Sequence, residues 1–158
     1  MALEIVRFRR KDQEEAGRFC DKIFSETMTD TSKYRGLDDF HAYFAGSREI
    51  FLLMKKDGEI IGCGGLLELT PDEAVLKRFY FAREHRGTGM AQILLEKLIG
   101  FAGEKGYRFI ILDTHKRNIR AQKFFKKSGF ISFKPRPTRK WDDTKDPGMF
   151  AFMRLKLG

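Results

Sequence analysis

The feature that most constrains this chain is a double change of hydrophobic period between residues 74 and 112. Ala74-Val75-Leu76-Lys77-Arg78-Phe79-Tyr80-Phe81 reads as a strand. Met90, Ile93, Leu94, Leu98, Phe101 and Ala102 then fall on one stripe of a helix that Gly106 can end, and Tyr107-Arg108-Phe109-Ile110-Ile111-Leu112 returns to a strand. A strand, a crossover helix and a strand imply a right-handed parallel connection, with the two strands side by side in one sheet.

These are the fourth and fifth strands. Upstream, Ile5, Arg7 and Arg9 alternate with Val6 and Phe8 in a first strand, and Asp12 is placed to cap a helix carrying Ala16, Phe19, Cys20, Ile23 and Phe24. A second helical piece runs from Leu37 through Phe44. Asp57-Gly58 between two apolar runs is a hairpin signal joining Ile50–Met54 to Ile60–Leu67, and Thr70-Pro71-Asp72-Glu73 makes the next turn. Downstream, a helix from about Asn118 to Ser128 stops at Gly129, and strands at Phe130–Phe133 and Met149–Leu155 flank a polar loop containing Trp141. The elements predict an α+β fold: a mixed, mostly antiparallel sheet of about seven strands flanked by about four helices.

A chain of 158 residues with 42% hydrophobic content suits one domain, spanning residues 1–158, with a core of its own. No segment reads as a secretory leader or as a run of about 18 apolar residues, so a cytoplasmic location and no membrane partner are expected. Cys20 and Cys63 show neither metal-ligand spacing nor disulfide density, and both read as packed, reduced thiols with no metal site. The net charge of +9 suits nucleic acid, an anionic ligand or simple solubility. Most aromatics sit inside apolar periodic segments rather than among the cations, which disfavours nucleic acid. The concentrated basic segments are Lys116–Arg120, Lys126-Lys127 and Lys134–Lys140.

The chemistry concentrates at Arg86-Gly87-Thr88-Gly89-Met90-Ala91, where the fourth strand gives way to the helix. Glycines allow a tight turn that exposes consecutive N–H groups, and the helix N-terminus adds partial positive charge, so a pyrophosphate is accommodated there. A dinucleotide fingerprint needs a third glycine or an alanine where Gln92 stands, and the Gly-Lys-Ser/Thr of a P-loop is absent.

Together with Leu76–Phe81 and Leu94-Leu95, this segment resembles the acetyl-CoA motif of the GNAT acetyltransferases. Leu112-Asp113-Thr114, Asn118, Ala121 and Phe124–Phe130 resemble the second motif of that family, and the order of elements matches its fold. The resemblance implies acetyl-CoA as cosubstrate. Its pantetheine arm would lie between the fourth and fifth strands on the backbone of Phe79 and Phe81, and its pyrophosphate would lie on the Arg86, Gly87, Thr88, Gly89, Met90 and Ala91 loop. Asn118 would help hold the cofactor, although a helix N-cap explains it equally well. On the same helix Arg120, Lys123 and Lys126 are further candidates for the adenosine phosphates, against the simpler reading of a solvated helix face.

The implied reaction is direct attack of a primary amine on the thioester in a ternary complex, with the backbone N–H of Phe79, aimed by a bulge in the fourth strand, stabilising the oxyanion. Glu68 and His115 are the preferred general-base candidates, with Glu73, Asp113 and His41 behind them. Phe125 departs from the family pattern, in which tyrosine commonly protonates the departing thiolate. A small-molecule amine acceptor is expected, and a homodimer is compatible with the family. The alternatives are a catalytically reduced acetyl-CoA-binding module, favoured by Phe125, and a nucleic-acid-binding domain using the basic segments.

Overall fold

The computed structural model describes residues 2–26, 39–135 and 148–158. The strands are β1 (Leu3–Arg7), β2 (Ile50–Lys56), β3 (Glu59–Thr70), β4 (Glu73–Phe81), β5 (Phe109–His115), β6 (Ile131–Ser132) and β7 (Phe150–Lys156). The helices are α1 (Gln13–Glu26), α2 (Phe40–Tyr43), α3 (Met90–Glu104) and α4 (Ile119–Lys127). The seven strands are ordered β1-β2-β3-β4-β5-β7-β6. β4 and β5 pair in parallel, from Glu73↔Phe109 to Val75↔Ile111, while β1-β2, β2-β3, β5-β7 and β6-β7 are antiparallel. This is the mixed, mostly antiparallel α+β architecture expected from the periodicity.

The chain divides into two compact units: residues 1–67 with 77–98, and residues 68–76 with 99–158. In the first, the Asp57-Gly58 turn joins β2 to β3 with both residues at positive φ (52° and 83°), the primed geometry that matches strand twist. Ala16, Cys20 and Phe24 of α1 pack with Phe40, Phe44, Phe51, Leu53 and Cys63. The Phe51 ring stacks on Phe40 at 4.6 Å and on Phe44 at 4.8 Å between centroids. In the second, Leu69, Val75 and Ile111 form a cluster joined by Phe133 and Phe152.

Four local expectations shift. Asp12 does not cap α1. It closes a short 3-10 turn over Arg10–Asp12, where its buried carboxylate accepts the Arg9 N–H at 2.9 Å and meets Lys55 Nζ at 3.3 Å. The second helix is a single turn capped by Asp39, which accepts the Ala42 N–H at 3.0 Å, and the expected start at Leu37 lies outside the described residues. The third strand runs on to Thr70, so Glu68 stands within it, and the strand after Gly129 shortens to Ile131–Ser132. Of the basic loop, only Lys134 and Pro135 are described; Arg136–Lys140 and Trp141 lie outside.

The glycines of β3 make room for aromatic rings. A Cβ on Gly64 would lie 2.7 Å from Phe79 Cδ2 and 3.1 Å from Leu98 Cδ1, and one on Gly62 would run into the Phe81 ring. Gly64→Ala is therefore expected to lower unfolding stability by about 1–3 kcal/mol through overpacking. Gly100→Ala, on an open face of α3, should raise it by about 0.5–1 kcal/mol. Urea midpoints at constant m-value check both.

Candidate active site

The first unit holds one group of the expected residues. β4 does not run as a regular strand: Arg78, in its interior, adopts φ 54°. A non-glycine residue in the left-handed region costs on the order of 1–3 kcal/mol and persists only where its surroundings impose it. Here the Arg78 side chain is buried with its guanidinium 5.6 Å from the Tyr43 ring centroid, and its carbonyl accepts the Cys63 thiol at 3.1 Å. Beyond it, the Phe79 and Phe81 rings turn toward the β3 glycines, with centroids 5.7 Å apart. Tyr80 turns the other way and meets the Phe24 ring edge-on at 5.1 Å. Its hydroxyl is therefore on the side of the strand opposite Phe79 and Phe81.

From β4 the chain passes through a 3-10 turn at Arg83–His85 into the glycine loop. Gly87 and Gly89 sit at φ 76° and 87°, conformations that side-chain-bearing residues adopt only at a cost. Among the described residues, the amides of Gly87, Thr88, Gly89, Met90 and Ala91 donate to no protein acceptor. The Arg86 amide does, at 3.2 Å to the Arg83 carbonyl. The Arg86 side chain folds inward, Nε donating to the Phe81 carbonyl at 3.0 Å and the guanidinium meeting Glu26 at 3.4 Å. Arg86 thus braces the loop against the end of β4 and the end of α1. Thr88 Oγ1 donates to the His85 carbonyl. The result is a run of five successive N–H groups opening α3, a cradle built from backbone for an anion.

The second unit holds the other group. Asn118 is the N-cap of α4, its side chain accepting the Ala121 N–H at 3.1 Å. Gln122 reinforces this turn by donating to the carbonyls of Lys116 (2.8 Å) and Asn118 (3.2 Å). His115 Nδ1 accepts the Arg117 N–H at 3.1 Å, so the neutral ring carries its proton on Nε2. Glu68 is half-buried in β3. Phe125 is 6% exposed, with edge-on contacts to Phe124 and Phe130 at 5.2 and 5.4 Å between centroids. Arg120, Lys123 and Lys126 are exposed on α4.

Residues 18–130 match the family described as Acetyltransferase (GNAT) family. The chain belongs to the GNAT family of acetyltransferases. Among curated GNAT relatives, an uncharacterised N-acetyltransferase of Mycobacterium bovis is 31% identical over 91 residues, a stretch covering 58% of this chain and 58% of that one. A human protein named N-acetyltransferase 8B is 26% identical over 118 residues, covering 72% of this chain and 48% of that one. The match thus spans little more than half the length of the first of these relatives and about half of the second. A crystal structure of a GNAT acetyltransferase from Staphylococcus aureus superposes with a TM-score of 0.87 at 24% identity, covering 99% of this chain and all of that one, which establishes the shared fold.

Sequence reasoning missed the ties of Arg78 and Glu26, while Cys20 and Cys63 are the free, buried thiols it expected. The available signal for the first was Lys77-Arg78, two consecutive cations in the middle of an apolar strand, both buried here. Cys63 is pushed well above its ordinary pKa by burial first, and then by the adjacent Cys20. With both thiols buried and Cys63 held protonated, iodoacetamide at about pH 8 should label neither in the folded protein and both in denaturant, as read by intact mass.

Proposed function

We propose that this protein binds acetyl-CoA and transfers its acetyl group to a primary amine, with a small molecule as acceptor. The observation that carries the reading is the run of amides from Gly87 to Ala91 at the start of α3, in a member of an acetyltransferase family. These donors suit the pyrophosphate of coenzyme A, and their fit rests on backbone geometry that Gly87 and Gly89 permit. The acyl-pantetheine arm runs along β4 past Phe81 to Phe79. Attack of the neutral amine nitrogen on the thioester carbon forms the C–N bond and moves the carbonyl electron pair onto oxygen, where the Phe79 N–H stabilises it. Collapse of that oxyanion breaks the C–S bond, the amine proton passes to a base, and the thiolate takes up a proton to leave as the thiol.

Glu68 and His115 are the side chains we assign as general bases for the amine proton, with Glu68 preferred because His115 Nδ1 already accepts the Arg117 N–H. Asn118 acts here first as the cap that sets α4. Phe125 has no hydroxyl to offer the leaving thiolate, and a coenzyme A thiolate, with a conjugate acid near pKa ~8.5, departs without one. The same residue favours a second reading, an acetyl-CoA-binding protein with little turnover.

Calorimetry with acetyl-CoA, combined with free-thiol release over a panel of amines, separates the two readings. Binding with amine-dependent release supports transfer, and binding without release supports the second. Gly89→Val should weaken acetyl-CoA binding about tenfold or more, because a β-branched residue at φ 87° is strained. Thr88→Ala, which removes only a hydroxyl bonded to the His85 carbonyl, should change it by less than about threefold.

A further inference from the structure

The buried Cys63 thiol has no part in the reaction as drawn, yet it touches the backbone on which that reaction depends. Its Sγ donates to the Arg78 carbonyl at 3.1 Å, and the Tyr80 amide lies within hydrogen-bonding reach of the same sulfur. The Arg78 carbonyl and the Phe79 N–H belong to one peptide unit. That unit is planar and trans, so its C=O and N–H point in opposite directions. Whatever holds the carbonyl toward Cys63 also holds the Phe79 N–H away from it.

The restraint has work to do, because Arg78 at φ 54° is strained and relaxation toward an ordinary strand conformation would rotate this plane. Cys63 is 1% exposed and sits in the cluster that joins α1 to β2 and β3, so its sulfur is fixed by packing on all sides. A hydrogen bond received by the carbonyl also polarises the peptide and strengthens its N–H as a donor. Cys20, 0% exposed beside it, meets the Cys63 sulfur through its own thiol, while the bond to the Arg78 carbonyl is made by Cys63.

We propose that Cys63 is a positioning residue for acetyl transfer: its thiol, bonded to the Arg78 carbonyl, sets the peptide plane that aims the Phe79 N–H at the thioester oxygen. The burial that keeps Cys63 protonated is what preserves it as a donor rather than a nucleophile. The inference rests on the function proposed above. It adds a residue that never meets substrate.

The test compares Cys63→Ala, Cys63→Ser and Cys20→Ala. Cys63→Ala removes the donor and should lower kcat about tenfold to a hundredfold, part of the loss seen when an oxyanion donor is removed outright, with KM for acetyl-CoA within about twofold. Cys63→Ser keeps a donor and should recover most of kcat, and Cys20→Ala should leave it unchanged. A second readout does not need turnover: the infrared carbonyl band of bound, carbonyl-labelled acetyl-CoA should lose part of its downward shift in Cys63→Ala and regain it in Cys63→Ser. If Cys63→Ala does not fold, a Cys63→Ser protein that keeps wild-type kcat and band position supports the role, and one that loses both overturns it. Wild-type turnover with an unchanged Cys63→Ala kcat, or an equal loss in Cys20→Ala, overturns the role of Cys63 alone. A wild-type protein that binds no acetyl-CoA overturns the function beneath it.

Discussion

The left-handed turn of Arg78 inside β4 is the constraint on which the site depends. A strand cannot take such a residue without breaking its regular alternation, and the cost is met locally. The guanidinium lies over Tyr43, the carbonyl takes the Cys63 thiol, and the rings that follow settle over glycines of β3. The contacts come from two other elements, Tyr43 of α2 and Cys63, Gly62 and Gly64 of β3. The left-handed residue is therefore a property of the packed unit, and no local preference of Lys77-Arg78-Phe79 would produce it in isolation.

From that point the chain is led into the glycine loop by a second set of tertiary ties. Arg86 carries the family's loop position but spends its side chain on the Phe81 carbonyl and Glu26. Its charge holds the loop's entry, while the donors left without a protein acceptor among the described residues of the loop are main-chain amides. The elements that brace the loop are thus separate from the amides proposed above as anion donors, an arrangement of the kind that preorganisation requires.

Where the sequence was legible, the signal was local. Asp57-Gly58 names its own turn, the stripe from Met90 to Ala102 names a helix, and Gly129, at φ 103°, ends α4 where expected. Asn118 as cap follows from its side chain and its place before Ile119. What could not be read depends on partners far along the chain. Asp12 looks like a helix cap until Lys55 arrives from β2 to share its buried carboxylate. Nothing local announces that the Arg86 guanidinium meets Glu26, sixty residues away. The tautomer of His115 is set by the Arg117 amide, a backbone direction that composition does not encode. The left-handed Arg78 leaves no mark in residue type, since glycine or asparagine would have announced it and arginine does not.

The rings of Phe79 and Phe81 laid against Gly64 and Gly62 have a consequence for how such a chain can vary. Volume at this spot is held jointly by β3 and β4. A larger residue on one strand has a place only after the other has given up its ring, and a lost ring leaves a hole that the opposite glycine cannot fill. Drift at these positions is thus expected to come in compensating pairs, one strand growing as its neighbour shrinks, so that the layer beside the Arg78 turn keeps one thickness while its residues are exchanged.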